Sequence, residues 1–160
     1  MTLSTMIGTD SRIAFKQIKA VYETVAVNEE VTAYLKPETR YTSPEQVFHA
    51  FSFLMQETKE YFLALHLDGK NRILCVDIVS IGSLNQSIVH PREVFKTALV
   101  SSAAAIILIH QHPSGDPKPS SEDISITRRL KESGELLGIK VLDHIIIGTY
   151  YLSMLEEGLM

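Results

Sequence analysis

Residues Ala103–Ile109 form an unbroken apolar run that ends abruptly in His110-Gln111-His112 and a loop, Gln111–Pro119, holding three prolines and one glycine. A continuous run without polar alternation is typical of a central strand, buried on both faces. The Pro-rich segment cannot continue the strand or start a helix at once, so it must be a loop. Ser120-Ser121-Glu122-Asp123 then opens a helix that the pattern carries to about Leu137, with Gly138 as its stop. A buried strand, a stiff loop and a helix in immediate succession commit the chain to an α/β domain with helices packed against a sheet.

The flanking sequence fits that scheme. Ser43-Pro44-Glu45-Gln46 has an N-cap serine, proline at the first helical position and glutamine at N3. Val47, Ala50, Phe51 and Leu54 follow at helical spacing, which predicts a helix from Pro44 to about Thr58. Tyr61–Leu67 and Arg72–Ile81 read as strands joined by the turn Asp68-Gly69-Lys70-Asn71. A further turn is expected around Gly82–Asn85, then a helix opening at His90-Pro91-Arg92-Glu93 with Phe95, Leu99 and Ala98 inward. Ile139–Ile147 and Tyr150–Leu155 read as closing strands split by Gly148. Nearer the N-terminus, Ile18–Val25 favours a strand only slightly over a helix, and a loop is expected over residues 28–41. The fold class predicted is α/β, a single domain with a mixed β-sheet flanked by helices.

At 160 residues the chain has room for one ordinary core. A formal net charge of -4 gives no general attraction to phosphates, so nonspecific nucleic-acid binding is not expected of the chain as a whole. The longest apolar run falls far short of the ~20 residues a membrane helix needs. Residues 1–10 lack the basic stretch and apolar core of a secretory signal. The one cysteine, Cys75, cannot form an intramolecular disulfide. A cytoplasmic location is the expectation, with no membrane partner.

The chemistry concentrates after the central strand. His110 and His112 are two residues apart, so if strand geometry persists both imidazoles project to one face. Two such imidazoles can share a zinc ion, and the loop delivers Asp123 in the first turn of the next helix to complete a two-His, one-Asp set. That leaves a fourth position for water. Asp123 also has a plainer reading. With Ser120 as N-cap it sits at N3, where a carboxylate caps a helix, and on this view the two roles compete for one side chain.

His110-Gln111-His112-Pro113-Ser114-Gly115, followed by Ser120 and Asp123, resembles the JAMM signature H-x-H-x7-S-x2-D with every required position filled. His90-Pro91-Arg92-Glu93-Val94-Phe95 before it and Leu142-Asp143-His144-Ile145-Ile146-Ile147-Gly148 after it resemble the RadC family of JAMM (MPN, or JAB) domains. The resemblance covers roughly residues 42–160, with residues 1–41 left as an N-terminal extension too short for the helix-hairpin-helix region of longer RadC proteins. It implies a zinc-dependent hydrolase, a metallopeptidase or isopeptidase acting on a peptide or protein substrate, with one zinc per chain on His110, His112 and Asp123. It further implies a glutamate general base at the start of a strand after a helix. Glu60 fits that position best, with Glu57 and Glu93 as the other candidates. Ser120 is implied to hydrogen-bond the oxyanion or the reacting water, while Ser114 and Gly115 shape the loop. The alternative is a non-catalytic interaction module in DNA repair or recombination.

Other polar residues have structural readings. Asp143 and His144, adjacent on a strand, face opposite ways and are expected to make structural hydrogen bonds. His66 and His49 are read as structural or surface residues and His90 as a turn residue. Arg128, Arg129 and Lys131 are read as a solvated helical face.

Overall fold

In the computed structural model, residues 21–23, 39–82 and 89–160 are described. The described helices and strands are α1 (Pro44–Phe51), a 3₁₀ turn (Ser52–Gln56), β1 (Tyr61–Leu67), β2 (Ile73–Ile81), α2 (Pro91–Val100), β3 (Ala105–Gln111), α3 (Ser121–Leu137), β4 (Lys140–Ile147) and β5 (Tyr151–Ser153). The five strands form one mixed sheet in the order β2-β1-β3-β4-β5. β1 pairs antiparallel with both β2 and β3, β3 pairs parallel with β4, and β4 pairs antiparallel with β5. The parallel pair requires a crossover, and α3 supplies it.

The sheet separates two apolar layers. On one face Leu63, Leu65, Leu67, Ile107, Ile109, Ile145 and Ile147 pack with Val47, Ala50 and Phe51 of α1. On the other, Phe62, Ala64, Ile106 and Leu108 pack with Val94, Phe95 and Ala98 of α2 and with Ile126 and Leu130 of α3. All seven β3 residues are buried, as its uninterrupted apolar sequence demands.

Three local expectations are corrected. The first helix is α-helical only to Phe51 and then tightens, because the Ser52 hydroxyl donates to the His49 carbonyl at 3.0 Å. In α2 the inward face is Pro91, Val94, Phe95 and Ala98, whereas Leu99 is 54% exposed. Spacing of three and four residues admits both Ala98 and Leu99, and the way α2 lies on the sheet turns Ala98 inward and leaves Leu99 at the solvent edge of the stripe. Of the strand expected at Ile18–Val25, residues 21–23 form no strand and the remainder lies outside the described residues, as do most of the loop over 28–41 and residues 83–85 of the Gly82–Asn85 turn. Among the described residues, no helix is long and apolar enough to cross a membrane.

Candidate metal centre

The end of β3 and the start of α3 meet at the carboxyl end of the parallel pair β3 and β4, a usual place for a site in an open α/β sheet. His110 is the penultimate residue of β3, paired with Phe62 on one side and Ile146 on the other. His112 lies just past the strand, its N–H donating to the Ile147 carbonyl at 2.9 Å. The strand pairing thus extends far enough to bring both imidazoles together, their ring centroids 4.5 Å apart and nearly perpendicular.

The loop brings the carboxylate back. Gly115 adopts φ 82°, in the left-handed region, and its N–H donates to the His112 carbonyl at 3.0 Å. The Gly115 carbonyl accepts from the Thr149 N–H at 2.8 Å and from its hydroxyl at 3.1 Å, fastening the loop to the β4–β5 turn. Gly148 packs directly on this point, and a Cβ there would collide with the Gly115 carbonyl. The chain then enters α3 with Ser120 as N-cap, and Asp123 faces the histidines.

Asp123 Oδ1 lies 3.1 Å from His110 Nδ1, and Asp123 Oδ2 lies 3.5 Å from His112 Nε2. One ligating atom from each of the three residues falls within 4.8 Å of the others. Asp123 is also the N3 half of a capping box: its Oδ2 accepts from the Ser120 N–H at 2.7 Å and from the Ser120 hydroxyl at 2.6 Å. The capping and ligand positions are therefore compatible, not exclusive. Hydrogen bonds to the cap fall on Oδ2, and Oδ1 is left facing His110.

These residues fit a divalent metal on the donor chemistry alone. His110 is 1% exposed, yet neither ring nitrogen has a hydrogen-bond partner among the described residues, so the contact with Asp123 is close but not aligned. Buried nitrogens in that state are costly unless something else satisfies them. The His112 Nδ1 lies 2.8 Å from the Asp116 carbonyl, to which it donates. In the neutral imidazole that bond keeps the proton on Nδ1 and leaves the Nε2 lone pair toward Asp123, as holding a metal there would require. Burial alone pushes the Asp123 carboxyl upward, but the His110 and His112 imidazoles and the Ser120 hydroxyl beside it outweigh this and hold it far below the usual carboxylate range. Burial likewise lowers His112, but contact with Asp123, the Asp116 carbonyl and the charges of Asp123 and Glu60 raise it overall.

The three groups form one wall of a pocket of about 590 Å³, lined also by Glu60, Val89, Ser120, Glu122 and Ile126. Glu60 stands immediately before β1, half-buried, with its carbonyl accepting from the Gly82 N–H at 2.9 Å. Glu57 and Glu93 do not line this pocket. Glu57 is exposed and its carbonyl accepts from Gln111 Nε2 at 3.4 Å, while the Glu93 carboxylate pairs with Lys96 at 2.7 Å and Arg92 at 3.2 Å. Ser120 lines the pocket with its one hydroxyl proton donated to Asp123.

The helices and sheet, the ligand-like trio at a strand end and the match of one family profile agree. The sequence profile of the RadC-like JAB domain matches residues 41–159. The chain belongs to the RadC-like JAB-domain family. Similar proteins include a UPF0758 protein of Pelobacter propionicus, 63% identical over 123 residues, which are 76% of this chain and 54% of that protein. Another from Geotalea uraniireducens is 65% identical over 123 residues, again 76% of this chain and 54% of the relative. One from Methanosarcina mazei is 51% identical over 144 residues, 89% of this chain and 62% of the relative. The chain thus spans little more than half the length of the relatives it matches, and their shared name assigns no reaction.

Three residues around the site were given no part in it by the sequence. Asp116 acts through its backbone carbonyl, which is the same in every residue type. Gln111, fully buried between the two histidines, reaches Glu57 through a contact 54 residues distant in the chain. His144, 0% exposed, lies beneath His110 with ring centroids 6.0 Å apart. Burial, aided by the neighbouring His110 imidazole, lowers its pKa to about 3, so it is neutral. Asp143 faces away and accepts from the His144 and Leu155 N–H groups and the Ser153 hydroxyl, the structural role expected of it.

Proposed function

We propose that this RadC-like domain is a zinc-dependent hydrolase that cleaves an amide bond in a cytoplasmic peptide or protein. The observation that carries this reading is the convergence of His110, His112 and Asp123 on one wall of a pocket that Glu60 also lines. A zinc ion held by those three residues supplies Lewis acidity and a water acidic enough to react near neutral pH.

The chain's own residues supply the rest. Glu60, beside the histidines and anchored at the entrance to β1, accepts the proton of the attacking water and returns it to the leaving amine. Ser120 holds Asp123 in the free site. By the family resemblance it also donates to the oxygen on which charge develops, and this requires its hydroxyl to exchange Asp123 for the substrate. The apolar side chains of Val89 and Ile126 lower the local dielectric around the reacting groups.

The deciding experiment is to measure zinc by elemental analysis and then trap cellular proteins on the Glu60→Gln variant. The expected result is about one zinc per chain and retention of specific peptides or proteins that the wild-type domain cleaves. Absence of zinc from protein purified without chelator overturns the reading. Submicromolar binding of duplex DNA, dependent on the exposed Arg128 and Arg129, would instead favour an interaction module in repair or recombination.

A further inference from the structure

Behind the centre lies a second polar layer with an unusual composition. Thr127 and His144 are both 0% exposed, on α3 and β4 respectively, and both sit in the apolar space between the sheet and the helix. The Thr127 hydroxyl donates to the Asp123 carbonyl at 2.6 Å and contacts His144 Nδ1 at 2.5 Å. A hydroxyl has one proton, and the Asp123 carbonyl can only accept, so that proton goes to the carbonyl. The bond to His144 must then run the other way, from Nδ1–H to the threonine oxygen. This fixes the His144 tautomer and leaves Nε2 as a bare acceptor, which has no partner among the described residues.

The His144 ring is also stacked on His110 at 6.0 Å with 22° between the planes, and Phe62 packs against both rings at 5.5 and 5.8 Å. One imidazole therefore touches the element carrying each ligand: α3 through Thr127, and β3 through the ring of His110. An apolar side chain would fill the same space without a buried unpartnered nitrogen, whose desolvation is unfavourable. A polar pair kept there at that cost, tied to one ligand and packed on another, is suited to fixing their separation.

We infer that His144 and Thr127 are positioning residues of the metal centre, a relay that ties the first turn of α3, bearing Asp123, to the strands bearing His110. The inference rests on the zinc reading above. The relay does not touch substrate or metal. Its effect is to hold the Asp123 carboxylate and the His110 imidazole at one spacing before metal arrives, so that binding requires no rearrangement of α3 against the sheet.

The test measures zinc affinity by competition with a chelator of known strength, on the folded full chain well below its melting temperature. Thr127→Val and His144→Leu should each weaken zinc binding by about 10–100-fold, the usual effect of losing a group that holds a ligand in place. Thr127→Ser keeps the hydroxyl, and His144→Asn keeps a donor near the Nδ1 position, so both should recover most of the affinity. Cobalt substituted for zinc should show an altered visible spectrum in the two disruptive variants and a near-normal one in the two conservative ones. A merely structural role would lower the melting temperature of the metal-free protein and leave zinc affinity and the cobalt spectrum unchanged, and that result overturns the inference. Should His144→Leu fail to fold, Thr127→Val, of nearly equal volume, decides the matter by the same two readouts. Zinc bound by wild type and Thr127→Val alike sinks the relay and leaves the functional reading standing. A wild-type chain that binds no zinc removes both.

Discussion

Ser120 and Asp123 hold one another through both backbone and side chain: the Ser120 N–H and hydroxyl donate to Asp123 Oδ2 at 2.7 and 2.6 Å, and the Asp123 N–H donates back to the hydroxyl at 3.1 Å. The helix start and the candidate ligand are therefore one structure. Ser120→Ala should destabilise the protein by about 0.5–2 kcal/mol, the cost of a lost N-cap, and should weaken zinc binding because Asp123 loses its guide. Asp123→Asn keeps an oxygen for the cap and should unfold within a few degrees of wild type, yet bind zinc far more weakly. Calorimetry paired with chelator competition separates the two effects. Wild-type zinc affinity in Asp123→Asn would return this carboxylate to capping alone.

His110→Ala and His112→Ala should each reduce zinc from about one per chain to a small residue, read by elemental analysis after dialysis. Full occupancy in both would mean that the metal sits elsewhere.

Glu60 lines the pocket without belonging to the trio of ligand atoms. Glu60→Gln should therefore keep its zinc and its fold while hydrolysis of a trapped substrate falls by about 10²–10⁴-fold. Glu57→Gln and Glu93→Gln, whose residues lie outside the pocket, should turn over at close to the wild-type rate. Loss of activity in Glu57→Gln with none in Glu60→Gln would reassign the base.

Gly148 packs on the Gly115 carbonyl and the Pro117 ring, so a methyl group there must push the metal loop outward. Gly148→Ala should cost about 1–3 kcal/mol by overpacking and should also weaken zinc binding, since His112 rides on that loop. Gly138→Ala is the control: at φ 72° it should cost about 1–2 kcal/mol through left-handed strain with zinc affinity untouched. Equal zinc affinities in the two variants would show that the loop tolerates the shift.

Asp68 tests the hairpin independently of the metal. Hydrogen bonds from the Arg72 and Lys70 N–H groups and the Arg72 guanidinium hold its carboxyl down to about 2. The depressed value means the folded state prefers the charged form. Its contribution is complete above the unfolded value of about 3.9 and is lost as pH falls through about 2. The melting-temperature difference between wild type and Asp68→Asn should be constant above about pH 4 and shrink below it; a difference that persists unchanged to pH 2 would contradict the assignment.

How far each feature was legible depends on how local its cause is. The continuous run into β3, the Asp68 turn between β1 and β2, the capping box of α3 and its stop at Gly138 are all set by neighbours in the chain, and the sequence by itself determined them. The candidate metal residues were legible for the same reason: His110, His112 and Asp123 lie within one strand–loop–helix unit, whose short connection constrains where each can go. Tertiary packing decided the remainder. Whether Leu99 or Ala98 faces inward depends on where α2 lies across the sheet, and the early end of α1 at Phe51 depends on a serine hydroxyl competing for a backbone carbonyl. The sequence left capping and metal binding as rivals for Asp123, because it specifies a carboxylate but not the direction of its two oxygens. Only the approach of α3 to β3 turns one oxygen to Ser120 and the other to His110. His144 enters the site for the same physical reason: parallel pairing of β4 with β3 sets it beside Leu108, one step below His110 on the same face, across a distance in sequence that no local pattern spans.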